Sequence, residues 1–233
     1  MVATLGSSAA SAAASPLAGV AELTPRLRGC LHAYAAVLSI ASGAALVTVA
    51  AAVRGGRGGW STAIYAATLT SLFGTSALYH RRRWGARGRA VMRRLDHSMI
   101  FIFIAGTYTP IAVLTLPRTS AVAVLAVVWS GALFGVLLQS AWPSAPRSLS
   151  VPCYVGLGWV AVFVMPDLLH NGGIAAFTLI VAGGVVYTLG AVVYGLRRPD
   201  PAPHVFGFHE VFHTCTLVAA LCHYVAIWLA VFA

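Results

Sequence analysis

Two histidines four residues apart, His209 and His213, are the clearest candidates for chemistry in this sequence. Side chains at i and i+4 of a helix share one face with Cβ atoms about 5–6 Å apart, so both imidazoles could bind one metal ion. The same pair could instead form a polar contact between helices. If His80 lies at the same level, three neutral histidines and an open position make a catalytic type of zinc site. We therefore predict that His80, His209 and His213 bind one zinc ion.

Asp96 and Ser76 are the candidate catalytic residues, Ser76 standing one helical turn before His80. A carboxylate beside a metal can position or deprotonate a water molecule there. Asp96 could instead cap the start of its helix or pair with a neighbouring arginine. Ser76 could hydrogen-bond that water or an imidazole, or it could be a small packing residue.

The string from His209 to His213 also fits the HExxH pattern of metalloproteases, in which Glu210 would be the general base. The pattern is short, and its longer metzincin form fails because Ala219 stands six residues beyond His213. A protease is therefore the lesser interpretation of this string.

Three further histidines are expected outside the metal site. His223 follows His209 by fourteen residues, about 21 Å along a helix, which is too far for one ion. His32 could approach the site, but a supporting or packing role is expected for both His32 and His223. His97 points about 100° away from Asp96 on a helix, so a polar contact is expected for it.

These residues must be positioned by helices that cross a membrane. The chain has 233 residues, 59% hydrophobic and only 9% charged, with a mean hydropathy of +0.85. A soluble domain carries roughly 25% charged residues. We predict an all-α bundle of seven transmembrane helices in a multi-pass protein of the plasma membrane, each segment approaching the length needed to cross the bilayer. The segments are 31–53, 62–80, 96–116, 120–140, 150–166, 173–196 and 207–232.

The arginines set the predicted orientation. With a cytoplasmic N-terminus, twelve of the fifteen arginines fall on the inside and three on the outside, and such a bias predicts N-terminus in and C-terminus out. His80, Asp96, His209 and His213 then share the cytoplasmic level. The net charge of +10 has the same explanation, so no nucleic-acid partner is expected. The seven arginines within Arg81–Arg94 serve as an orientation signal and as contacts for anionic inner-leaflet lipids, or form a specific site for an acidic lipid or partner.

The chain is predicted to form one domain, residues 25–233, after a disordered cytoplasmic tail at residues 1–24. The tail is rich in Ala and Ser and has no basic residue before an apolar core, unlike a cleaved signal peptide. The four cysteines form no CxxC pair, so small apolar packing is expected of them rather than a disulfide or a metal site.

The motifs resemble those of the haemolysin III family, which belongs with the progestin and adipoQ receptors. They are Ser76–His80, Leu95–Ser98 running into Ala105–Pro110, and His209–His213, with Pro25–Gly29 similar to the bacterial branch. The resemblance covers about residues 25–230. It implies a seven-helix fold with a cytoplasmic N-terminus, zinc held by the histidines at 80, 209 and 213, an Asp at 96 that reaches the metal through water, and a Ser at 76 alongside. Adiponectin receptors carry Gln where this chain has Glu210, which further weakens the protease interpretation.

Three functions follow from these expectations. The first is a zinc-dependent hydrolase that acts on a lipid amide or ester, similar to the ceramide hydrolysis proposed for adiponectin receptors. The second is a haemolysin-type protein that perturbs membranes or forms a pore, which the family name suggests. The third is a receptor-like or sensor-like membrane protein in which the zinc is structural.

Overall fold

The computed structural model describes residues 25–142 and 145–233 and is all-helical within them, apart from one isolated bridge between Ala202 and Phe206. The predicted tail at residues 1–24 lies outside the described residues. The helices are α1 (Cys30–Arg81), α2 (Ala86–Thr115), α3 (Arg118–Ala141), α4 (Arg147–Gly158), α5 (Met165–Leu196) and α6 (Phe208–Phe232), with a 3₁₀ segment at Trp159–Val164.

The surface of the bundle is apolar and its interior carries many polar side chains. Phe163 is 86% exposed and Tyr34 is 74% exposed, while Thr62 and Thr109 are almost fully buried. This distribution suits lipid as the solvent. Five helical stretches are long and apolar enough to cross a membrane, namely Cys30–Arg81, Ala86–Thr115, Arg118–Ala141, Arg147–Leu196 and Phe208–Phe232.

Helix α1 covers the first two predicted segments and breaks at Gly55, where φ is 65° and ψ is −156°. That left-handed backbone suits glycine because it has no Cβ atom. The two halves pack against each other: the hydroxyls of Ser39 and Thr70 are 2.9 Å apart, and Gly43 lies against Ala66. The contacts are placed symmetrically about Gly55, so the two halves run antiparallel.

A second break divides the stretch from α4 to α5. Gly173 has φ 76° and ψ 164°, and the indole of Trp159 before it donates to the Thr188 hydroxyl after it at 2.9 Å. The fifth predicted segment, 150–166, is the shortest of the seven. It consists of most of α4, the 3₁₀ segment and the first two residues of α5.

Helix α2 contacts every other α-helix and positions the centre of the bundle. Its close approach to α1 depends on Gly106, where a Cβ atom would collide with Thr68. Helix α2 begins at Ala86, ten residues before the predicted start of its segment. Asp96 therefore lies in the third turn of the helix, and the interpretation of Asp96 as a helix cap is wrong.

Candidate metal site

Three histidines from α1 and α6 come together at one end of the bundle. His80 is in the last turn of α1, while His209 and His213 occupy the first two turns of α6. Their ring centroids are 4.8 Å apart for His80 and His209, 5.2 Å for His80 and His213, and 4.5 Å for His209 and His213. One nitrogen of each ring lies within 4.8 Å of the other two, which makes this group a possible metal site.

The start of α6 is held by carboxylates, and this orients its two histidines. Glu210 accepts a hydrogen bond from the Gly207 backbone at 2.9 Å, and Asp200 accepts one from the Phe208 backbone at 2.8 Å. Both donors belong to the first turn of α6, whose N–H groups have no partner within the helix. These two hydrogen bonds fix the start of α6, and its first two turns carry the rings of His209 and His213.

Glu210 also binds the chain segment that precedes α1. Its Oε1 atom accepts a hydrogen bond from Arg28 Nε, and the Glu210 side chain is only 1% exposed. The same segment pairs with the loop before α6, since Arg26 N donates to His204 O at 3.1 Å. Both carboxylate oxygens of Glu210 are thus engaged in structural contacts, which argues against its role as the base of an HExxH protease.

The close approach of this segment depends on Gly29. Its φ of 73° lies in the left-handed region, and a Cβ atom there would stand 2.8 Å from the Cβ of His80. Any other residue would collide with the Cβ atom of His80, so the glycine allows the segment to pack against the end of α1 that carries this histidine.

Asp96 lies near His80, and the catalytic roles of Asp96 and Ser76 stay predictions. Asp96 Oδ2 is 3.9 Å from His80 Nε2, and the Ser76 side chain lies close enough to the Asp96 carboxyl group to interact with it. Ser76 is only 3% exposed. The carboxylate is too far from His80 for a direct hydrogen bond, so the gap can be bridged by water.

Three further histidines, His32, His97 and His223, make contacts of other kinds. His32 stacks on His213 with a centroid distance of 3.8 Å and an interplanar angle of 12°, and neither of its nitrogens has a hydrogen-bond partner among the described residues. Nδ1 of His97 is 2.8 Å from the Arg93 carbonyl oxygen. Nε2 of His223 is 3.2 Å from the Ile180 carbonyl oxygen, and this residue is not part of the three-histidine group.

The histidine group opens into a cavity of about 860 Å³ that is lined by polar and apolar side chains. Its size falls within the roughly 300–1,000 Å³ of ligand pockets in proteins. Sequence reasoning did not identify two polar residues that line the cavity, Arg147 and Tyr154. Both belong to α4, and their types alone carried no signal.

The chain matches a known protein family over most of its length. A family model described as Haemolysin-III related matches residues 21–224. Hemolysin-3 of Bacillus cereus is 34% identical over 100 residues, covering 43% of this chain and 46% of that protein. For the Hemolysin-3 homolog of Bacillus subtilis (strain 168) the identity is 30%, covering 58% and 62%. For the Progestin and adipoQ receptor-like protein 1 of Caenorhabditis elegans it is 26%, covering 58% and 35%. The matched part thus spans between about a third and three fifths of these relatives.

Proposed function

This chain belongs to the Haemolysin-III related family of multi-pass membrane proteins, and on that premise we propose that it is a zinc-dependent hydrolase of a lipid amide or ester bond. The observation that carries the proposal is the group formed by His80, His209 and His213 beside Asp96, at the end of a cavity within an apolar bundle. Structural zinc sites are usually closed by four protein ligands, whereas three ligands leave a position for water or substrate.

The spacing of one pair of nitrogens fits a tetrahedral zinc, and all three ligand nitrogens lie within 4.8 Å of one another. Two ligands on a tetrahedral zinc, with Zn–N bonds of about 2.0–2.1 Å, stand roughly 3.3 Å apart. The Nε2 atoms of His80 and His209 are 3.3 Å apart. When bound, zinc supplies a Lewis acid and lowers the pKa of water toward about 7.

Asp96 and Ser76 are proposed to handle the proton of the attacking water. The Asp96 carboxylate would accept that proton at Oδ2, the oxygen that faces His80. The hydroxyl of Ser76 would interact with the carboxyl group and help to hold it in this direction. The three histidines, kept neutral, would bind the metal and leave room for the carbonyl oxygen of a lipid.

We also propose that the chain crosses the membrane seven times, with a cytoplasmic N-terminus. The antiparallel packing about Gly55 and the contact between Trp159 and Thr188 around Gly173 support two reversals inside the long helical stretches. The histidine group then lies at the cytoplasmic level, and a lipid would enter from the inner leaflet. The arginines of Arg81–Arg94 would contact anionic lipids of that leaflet.

The proposal is tested by lipid turnover with the purified chain. We expect hydrolysis of at least one amide or ester in a broad lipid panel, loss of turnover with a chelator, and recovery when zinc is restored. Asp96→Asn should bind zinc within about 10- to 100-fold of the parent affinity, as for other partners of a metal site, but should lose turnover. An exposed arginine outside the cavity supplies the control, Arg87→Gln. Absence of turnover across the panel with zinc bound would contradict the hydrolase.

The names of the relatives support a second candidate, because two are called Hemolysin-3 or its homolog and one is called a receptor-like protein. Release of dye from liposomes separates lysis from hydrolysis. Release that persists in His209→Ala would favour membrane perturbation independent of the metal. A chain that unfolds with chelator and hydrolyses no lipid would favour a receptor-like protein with structural zinc.

A further inference from the structure

Two polar side chains on one face of α4 line the cavity, and each has a buried polar atom with no hydrogen-bond partner among the described residues. Arg147 and Tyr154 are seven residues apart, so they lie two turns apart on the same side of the helix. Arg147 Nη1 and Tyr154 Oη are both buried and make no hydrogen bond with any described residue. Tyr154 is only 8% exposed. A buried donor without a partner is costly, so such a pair indicates that a ligand supplies the acceptor.

The guanidinium group of Arg147 is held next to the histidine group by aromatic rings. Its central carbon lies 4.5 Å from the ring centroid of Tyr194 and 5.9 Å from that of Phe208. The Tyr194 ring is in turn 5.8 Å from the His209 ring. The aromatic contacts fix the position of the positive charge, but they do not neutralise it.

The acidic residues at this end of the described structure are engaged elsewhere. Glu210 pairs with Arg28, Asp96 contacts His80 and Ser76, and Asp200 accepts a hydrogen bond from the backbone of Phe208. The lining of the cavity includes two aspartates, Asp96 and Asp200, against six arginines: Arg28, Arg82, Arg83, Arg89, Arg93 and Arg147. The cavity therefore favours an anion over a neutral group.

We propose that Arg147 and Tyr154 form a subsite for the phosphate group of a lipid, whose cleavable bond would lie at the histidines. The assignment to a lipid rests on the proposed function, whereas the preference for an oxyanion rests on the two side chains. The planar guanidinium fork can bind two phosphate oxygens at once, and the phenol hydroxyl can donate to a third. Arg147 is the first residue of α4 and so lies at the end of a helix, where the headgroup of a lipid could bind. The lipid chains would then extend into the apolar part of the cavity.

The test measures binding in a detergent without phosphate, such as dodecyl maltoside, using the full chain treated with chelator. Oleoyl lysophosphatidic acid is the probe, and mono-oleoylglycerol is its uncharged counterpart. Glycerol phosphate presents the phosphate without a chain, and oleate presents a carboxylate on the same chain. We expect lysophosphatidic acid to bind at least about tenfold more tightly than mono-oleoylglycerol, since charge-assisted hydrogen bonds are the strong ones. Glycerol phosphate and oleate should bind more weakly than lysophosphatidic acid.

Substitutions at Arg147 and Tyr154 test whether these two side chains cause the preference for the charged lipid. Arg147→Gln should weaken lysophosphatidic acid by about tenfold or more and leave mono-oleoylglycerol unchanged, with Arg147→Lys intermediate because it keeps the charge without the fork. Tyr154→Phe should cost a few-fold, while its ring contact with Phe101 preserves the packing. The exposed Arg87 lies in the arginine-rich segment but does not line the cavity, so Arg87→Gln should bind like the parent.

Equal binding of the charged and uncharged lipids, or an equal loss in Arg87→Gln, would overturn the subsite. Tighter binding of oleate would overturn phosphate as the group bound, and glycerol phosphate binding as tightly as the lipid would overturn a lipid as its source. Because binding is measured without metal, the two proposals fail separately. A charge preference without any turnover would leave the subsite standing and remove the hydrolase, and turnover without a charge preference would do the reverse.

Discussion

At one end of the bundle, Arg54 and Arg57 donate to the backbone carbonyls of Leu114 and Val113, at 3.3 Å and 2.7 Å. These carbonyls belong to the last turn of α2, where no helical partner remains for them. At the other end, Arg28 donates to the buried carboxylate of Glu210. The same residue type thus closes a helix end in one place and joins two chain segments over the candidate metal site in the other.

The two ends also differ in what surrounds their histidines. His170 lines a shallow depression together with Asn171 and Arg54, and no second histidine of the described residues lines it. His80, His209 and His213 converge on one another and line a cavity of about 860 Å³. The difference teaches that a basic residue or a histidine at a helix end carries no functional meaning by type. The role of such a residue depends on whether other helices or loops place hydrogen-bond acceptors or further metal ligands beside it.

The largest expected effect is the loss of metal when a histidine of the group is removed. His80→Ala and His209→Ala should each lower zinc affinity by more than about 100-fold. Loss of a residue that only hydrogen-bonds a metal ligand costs up to about 100-fold, and each of these variants removes a ligand itself. Metal analysis of purified protein should fall from about one zinc per chain toward none. His170→Ala at the opposite end is the matched control and should keep its zinc. Equal metal content in all three variants would end the distinction between the two ends.

The second effect concerns the two kinds of arginine contact. Arg28→Met should lower the free energy of unfolding by about 3–5 kcal/mol, because it leaves the buried Glu210 carboxylate without its partner. Arg57→Met removes a hydrogen bond to a carbonyl and should cost about 1.5–3 kcal/mol. Thermal unfolding in detergent compares the two variants.

A second substitution tests the cause of the larger effect. Glu210→Gln in the Arg28→Met background should recover part of the lost stability, since no uncompensated charge remains. If Arg57→Met proves the more damaging variant, the contrast drawn between the ends is incorrect.

The smallest effect tests the reversal at Gly55, which belongs to the same end as Arg54 and Arg57. Gly58→Ala should destabilise the protein by about 1–3 kcal/mol, because its Cβ atom would press on the backbone of Ala50 in the other half of α1. Gly56 has open space around it, so Gly56→Ala should be neutral or stabilising by up to about 1 kcal/mol. Denaturation of both variants under the same conditions checks this. Similar behaviour of the two would argue against close packing of the halves.

Much of the fold could be predicted from local composition. Six of the seven apolar segments lie within a helix of the structure to within one residue, because a run of apolar residues must satisfy its backbone internally in lipid. The fifth spans α4, the 3₁₀ segment and the start of α5. The break at Gly55 lies in the gap between the first two predicted segments, 31–53 and 62–80. The start of α2 could not be placed this way, because residues 86–95 are rich in arginine and carry no apolar signal although they are helical.

The sequence by itself determined that His209 and His213 share a helix face and that the chain is a membrane protein, since both depend on neighbouring residues. Only the tertiary structure decided that His80 meets them across 129 residues, that Glu210 is engaged by Arg28 and that Arg147 lies beside the group. The physical reason is that helix periodicity is set by hydrogen bonds between nearby residues. The crossing angle and depth at which two helices pack depend instead on the shapes of entire faces.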